Sequence, residues 1–255
     1  GRILRPQDMG MLASIGCARV KVYRPLRVAV LSTGDELFEP GSGTLPDGGI
    51  YNSNRYTLAG LVRSLHMEFV DCGMVADDAD ATAQALLNAS KLADCVITTG
   101  GVSVGEEDHV KAQVQRLGRL DLWKLAIKPG KPLAFGSIGN TSFIGLPGNP
   151  TSVFVTFCLI ARPFLLKMQG VAEPESPRLQ AVAAFSVSKP GGRQDYLRVI
   201  VENTAQGLLA KKFSNQSSGV LSSVSHSNAL AVIPPGAVVS EGDTLEIILL
   251  DSIAG

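Results

Sequence analysis

An excess of charge of one sign is the first thing this chain lacks. Twenty-three basic and 23 acidic residues balance over 255 positions. Without a basic surplus, nothing supports non-specific binding to nucleic acid or to an anionic membrane. Cysteine and histidine are scarce and scattered: Cys17, Cys72, Cys95 and Cys158, with His66, His109 and His226. Their spacing suggests no zinc site, and the cysteines are expected to be free thiols in a reducing compartment. Long apolar runs are missing too. The longest, "SVFVTFCLIA" at 152–161, is too short to span a bilayer. No basic start followed by an apolar stretch marks a signal peptide. The expectation is a cytoplasmic protein with no nucleic-acid and no membrane partner.

What is present is an ordinary globular composition, 45% hydrophobic and 18% charged, on a chain long enough to bury a core without disulfides or a metal staple. Strand and helix signals alternate over the first two-thirds. "LRVAVLST" (26–33), "EFVDCGMV" (68–75) and "DCVITT" (94–99) read as strands. "NRYTLAGLVRSL" (54–65), "DADATAQALLNASKLA" (78–93) and "DHVKAQVQRLG" (108–118) read as helices. "LWKLAIK" (122–128), "PLAFGSI" and "TSFIGL" follow as strands, and a long helix at 151–169, kinked at Pro163, closes the unit. The alternation predicts an α/β fold: a mostly parallel sheet with helices on both faces, spanning 26–170. After a Pro- and Glu-containing linker at 170–178, short strands separated by Gly, Asn, Ser and Pro predict a small C-terminal all-β domain over 178–251. It is expected to be barrel-like and free of helices. Residues 1–25 read as a short helix and strand.

Ligands of such α/β folds bind at the carboxyl ends of the strands, and several unusual segments fall there. In "TTGGVSVGEEDHV" (98–110), Gly100, Gly101 and Gly105 can bring backbone N–H groups close to an anion, beside the start of the next helix. "STGDEL" (32–37) adds Asp35 and Glu36, and a second acidic cluster, Glu106, Glu107 and Asp108, ends another strand. Together the two clusters could hold Mg²⁺, which takes oxygen ligands and shares them with substrate phosphates. In "WKLAIKPGKP" (123–132), Lys124, Ala126 and Lys128 share one strand face, and Pro129-Gly130 turns the chain to present Lys131, an anion clamp. "GLPGNPTS" (145–152) places Asn149 as the cap of the long helix, and "IYNSN" (50–54) offers Asn52 or Asn54 as the cap of the first. "GGRQDYLR" (191–198) and "NQSSGVLSS" (215–223) add arginine and hydroxyl groups that read as turns.

Taken in order, "STGDEL", "IYNSN", "TTGGVSVGEEDHV", "WKLAIKPGKP" and "GLPGNPTS" resemble the molybdopterin molybdenumtransferase family, which includes the E domain of gephyrin. The resemblance runs over nearly the whole chain and implies a molybdopterin-binding-like α/β domain. Its reaction would convert adenylylated molybdopterin and molybdate, with Mg²⁺, into molybdenum cofactor and AMP. By that resemblance Asp35, Glu36, Asp108, Lys124 and Lys128 are catalytic, the first three as metal ligands. Gly100, Gly101, Val102, Ser103, Gly105, Lys131, Asn52, Asn54, Asp78 (or Asp77), Pro147, Gly148 and Asn149 bind substrate. Ser222 and Ser223, with Arg193 or Arg198, follow from the β domain. Asn52 stands where many relatives have Asp, and His109 where many have Tyr. The resemblance also implies a homodimer in the full-length protein, with residues 1–25 the remnant of an N-terminal dimerisation region and the chain N-terminally truncated. The implied partners are a molybdopterin adenylyltransferase and apo-molybdoenzymes. The alternatives are a molybdopterin adenylyltransferase, whose main loop typically reads Gly-Gly-Thr-Gly rather than Gly100-Gly101-Val102-Ser103, and a non-catalytic scaffold.

Overall fold

The computed structural model describes residues 1–101 and 109–254. In chain order its elements begin with α1 (Pro6–Ser14), β1 (Arg27–Thr33), β2 (Leu37–Phe38), β3 (Ile50–Tyr51), α2 (Ser53–Ser64), β4 (Glu68–Val75), α3 (Ala79–Leu92) and β5 (Cys95–Thr99). Next come α4 (His109–Leu117), β6 (Gly118–Lys124), β7 (Ile127–Lys128), β8 (Pro132–Ile138), β9 (Thr141–Leu146), α5 (Pro150–Thr156) and α6 (Arg162–Met168). The C-terminal part holds β10 (Leu179–Ala183), β11 (Gln194–Thr204), β12 (Gly207–Lys212), α7 (Ser222–Ser225), β13 (Ala229–Ile233) and β14 (Thr244–Leu249).

A six-stranded sheet in the order β4-β1-β5-β9-β8-β6 forms the first layer. β4, β1, β5 and β9 run parallel, while β8 runs antiparallel to both its neighbours, β9 and β6. Burial on both sides explains the continuous apolar reading of the central strands. Along β1, Val28 and Val30 enter one cluster with Leu58, Leu61 and Val62 of α2, while Ala29 and Leu31 enter another with Leu86 and Ala89 of α3 and Val114 of α4. Helices thus cover both faces, as the alternation predicts. α5 and α6 are one continuous helix joined by a π-type turn at Phe157–Ala161. Pro163 has no N–H and crowds the carbonyl four residues back, and the wider turn absorbs that strain. By length and composition the whole helix, Pro150–Met168, could cross a membrane, unlike the shorter apolar run, but 61% of it is buried inside the protein.

The second layer closes on itself. β10, β14, β13, β11 and β12 pair in sequence, and β12 pairs back to β10. Small side chains fill this narrow five-stranded barrel: Ala181, Ala183, Ala210, Ala229 and Ala231 with Val199 and Ile247. The outward residues Tyr196, Leu230, Val232 and Ile248 pack into the cluster built on β1 and α5, so barrel and α/β unit share one core.

Four expectations change. β6 starts at Gly118, directly after α4, and ends at Lys124. Ile127 and Lys128 then leave for the other sheet, pairing with Gln194 and Asp195 of β11. Lys124 and Lys128 therefore do not share one strand face, because a tertiary partner breaks the run. The C-terminal part carries a short α-helix, α7, and a 3-10 turn at Leu250–Ser252. Residues 18–23 form no strand, since no sheet edge pairs with them. The linker is docked: Pro174 is buried, and its carbonyl accepts from Arg162 Nη1 at 2.9 Å.

Candidate active site

The carboxyl ends of β1, β5 and β9 converge on a cleft of about 610 Å³. Thr33, Glu36, Asn52, Asn54, Gly100 and Gly148 are among the residues lining it. Two helices begin at its wall. Asn52 caps α2, its side chain accepting from Arg55 N at 3.2 Å. Asn149 is the cap of α5, followed by Pro150, although its side chain makes no capping hydrogen bond. Free N–H groups and the positive dipole ends of helices favour anions there. Glu36 is the only charged residue among the described lining residues.

Local contacts hold this edge together. Asn54 Nδ2 donates to Gly148 O at 2.7 Å, joining α2 to the β9–α5 turn. Gly100 and Gly101 take φ of +83° and +63°. A Cβ on Gly100 would lie 2.9 Å from Thr33 O, and one on Gly101 would lie 2.5 Å from Val110 Cγ2. Both glycines are required where this loop crosses the end of β1. Thr151 N and Oγ1 donate to Ser218 O and Val220 O, each at 3.0 Å, pinning the 215–223 loop on the first turn of α5. Gly219 thereby reaches the cleft.

The remaining candidates separate into groups. Asp35 is exposed beside the cleft, its Oδ1 accepting from Asp77 N at 3.2 Å, and Glu36 follows it. Asp78 caps α3, accepting from Ala81 N at 2.8 Å. Val102, Ser103, Gly105 and Asp108 lie outside the described residues. Among the described residues no three of His, Cys, Asp and Glu gather as a metal cluster. Mg²⁺ needs only one or two carboxylates when phosphates complete its shell, so Asp35 and Glu36 fit that ion.

Pro147 and Asn149 line the cleft; Lys124, Lys128 and Lys131 are exposed and do not. Lys128 Nζ lies 3.1 Å from Asp195 Oδ2, so the expected three-lysine clamp is partly a cross-strand ion pair between β7 and β11. Arg193 Nη1 donates to Ile127 O at 3.0 Å, a structural tie from β-domain to β7. Ser222 is exposed, whereas Ser223 is buried and accepts from Arg198 Nε at 3.2 Å. Arg198 is 1% exposed. Burial pushes it down to about 10, opposed by the Asp195 carboxylate, so it stays cationic at neutral pH. Its Nη2 has no partner among the described residues. Sequence reading missed Gly219 and Ser152 in the lining; the hydroxyl-rich 215–223 stretch was the available signal.

This is an anion-receptive strand-end cleft on a doubly wound α/β unit with a barrel packed behind it. Residues 29–167 match the family described as the probable molybdopterin binding domain, and residues 180–250 match the MoeA C-terminal region (domain IV). The chain belongs to the molybdopterin-binding family and carries the MoeA C-terminal region. It is 42% identical over 250 residues to a molybdopterin molybdenumtransferase of Haemophilus influenzae, covering 97% of this chain and 62% of that protein. A molybdopterin molybdenumtransferase of Nostoc is 35% identical, covering 97% of this chain and 58% of that one. The chain thus spans about three-fifths of these relatives. Among solved structures, a molybdopterin biosynthesis MoeA protein of Pyrococcus horikoshii superposes with a TM-score of 0.81 at 30% identity, over 96% of this chain and 60% of that one.

Proposed function

We propose that this chain carries the active cleft of a molybdopterin molybdenumtransferase. Adenylylated molybdopterin and molybdate would enter, and molybdenum cofactor and AMP would leave. The observation that carries this reading is the meeting of three loop motifs and two helix starts at one cleft, in a chain of the molybdopterin-binding family. The helix starts and the Gly100-Gly101 turn would bind the substrate's phosphates, and Asn54, held by Gly148, would fix the width between the walls. Asp35 and Glu36 would hold Mg²⁺, which when bound supplies charge neutralisation at the pyrophosphate. The dithiolene that receives molybdenum belongs to the substrate, so no protein thiolate is required. Cys95 and Cys158 are buried, and burial pushes the Cys158 thiol up to about 12.

A molybdopterin adenylyltransferase would supply the substrate, and apo-molybdoenzymes would take the product. A homodimer is supported by apolar side chains left open on the N-terminal segment, with Ile15 72% and Tyr23 70% exposed. Four free thiols suit the cytoplasm. The test is AMP release from adenylylated molybdopterin, followed by chromatography with and without molybdate and Mg²⁺. Release that requires both supports the reading. Release indifferent to molybdate contradicts it.

A further inference from the structure

We propose that Arg55 is a positioning residue that sets one wall of the cleft by tethering the segment 37–51 to the rest of the fold. This rests on the reading of the cleft as the substrate site. Leu37, Ile50 and Tyr51 of that segment line the cleft. Its regular structure is only the two-residue pairing of β2 with β3. Residues 40–44 and 46–48 between those strands are exposed. Little else anchors it. Ile50 N donates to Glu36 O, Asn52 N to Phe38 O, Gly49 N to Pro46 O and Tyr51 Oη to Gly43 O. Among the described residues, every hydrogen bond of 37–51 stays within 34–52 except those reaching Glu39.

Both carboxylate oxygens of Glu39 are engaged by α2: Oε1 by Arg55 Nη1, and Oε2 by Tyr56 Oη at 3.0 Å. The other edge of the Arg55 guanidinium, Nε and Nη2, donates to Asp71 Oδ2 on β4, with Nε at 3.0 Å. Asp71 Oδ1 is itself held by Gly73 N at 3.0 Å. The planar fork thus joins the segment, the first turn of α2 and an edge strand of the main sheet, with Nε and Nη2 converging on one Asp71 oxygen and Nη1 reaching Glu39, a spread of donors that lysine cannot copy. Arg55 is also fixed at its own backbone, where its N–H donates to the Asn52 cap. Neither Arg55, Glu39 nor Asp71 lines the cleft. Their influence on a ligand would run through the wall that Leu37, Ile50 and Tyr51 form.

The experiment pairs hydrogen exchange with AMP binding by calorimetry, in the wild-type chain and in Glu39→Gln, Asp71→Asn and Arg55→Lys. Each variant is expected to speed exchange at the Ile50 and Asn52 amides by about tenfold, the equivalent of about one weakened charge-assisted bond. The amides of Val28–Leu31 should stay protected. AMP affinity should fall by about three- to tenfold in all three. Asp71→Asn is the discriminating variant, because Asp71 touches the segment only through Arg55. If Asp71→Asn leaves both readouts at wild-type values while Glu39→Gln changes them, Arg55 is not the tether. Unchanged exchange in all three variants overturns the proposal outright. If exchange rises in all three but AMP affinity is unchanged, the tether exists and does not position the cleft wall, which also overturns it. Failure of the wild-type chain to bind AMP would instead count against the reading of the cleft, and the exchange comparison would still decide the tether.

Discussion

Lys128 faces two possible partners, and separating them is a sharp test of the site. Its Nζ is 3.1 Å from Asp195 Oδ2 and its side chain is 53% exposed. No other donor reaches the Asp195 carboxylate among the described residues, and Asp195 Oδ1 is buried without a partner. An ion pair this open to water is screened, and such pairs contribute about 0.2–1 kcal/mol. Lys128→Ala should therefore lower stability by no more than about 1 kcal/mol. A charge-assisted bond from the same ammonium to a substrate phosphate would be worth about 1.5–3 kcal/mol, or about a 10- to 150-fold loss of affinity. The two roles oppose each other, because a lysine held by Asp195 is less available to a ligand. Asp195→Asn should cost similar stability yet tighten binding of adenylylated molybdopterin by up to about fivefold, the equivalent of about 1 kcal/mol. Urea unfolding gives the first quantity and calorimetry the second. If both variants lose stability and neither changes affinity, Lys128 is only a staple between β7 and β11.

Other outcomes follow from the same geometry. Gly101→Ala should destabilise by about 2–5 kcal/mol, the sum of a left-handed backbone and a crowded Val110; Val110→Ala in the same chain should recover part of it in urea. Hydrogen bonding from Arg24 holds the Asp94 carboxyl below its usual value; for Asp71 burial is the largest influence and pushes up, but the Arg55 bond, the Gly73 N–H and the charges of Arg55 and Arg63 together bring it down. A lowered carboxyl contributes stability that is full above about pH 4 to 5 and is lost as pH falls through the folded value. Arg24→Gln should thus be destabilised at pH 7, and its deficit against the native chain in thermal unfolding should shrink as the pH falls through the folded value of Asp94. Subtilisin should cut within 41–49 before it cuts within 170–178, because Arg162, Lys167 and Ser176 tie the latter down; the opposite order would show those ties to be weak.

Much of the architecture was legible because burial writes itself into residue type. β1 and β5 read as buried strands, and of the two candidate caps Asn52 and Asn54, Asn52 makes the capping bond. The break after Lys124 was not legible. "LWKLAIK" alternates without interruption, and what divides it is the pairing of Ile127–Lys128 with residues 194–195, far away in sequence. The tether through Glu39, Arg55 and Asp71 was equally hidden, since three ordinary surface charges announce nothing until the fold brings them together. The first two glycines of the 98–110 loop were legible as special, but the reason was only partly so. Their missing side chains make room for Thr33 and Val110.

The central claim is that the ligand's phosphate end sits where β1, β5 and β9 end. Amide chemical-shift mapping of the labelled chain during titration with AMP tests it most directly. The account predicts that the perturbed amides cluster at residues 33–36, 52–54, 100–101 and 148–149, around the cleft. Shifts that gather instead around Ile3, Val22, His66 and Leu166, which line a separate groove of about 670 Å³, would contradict it.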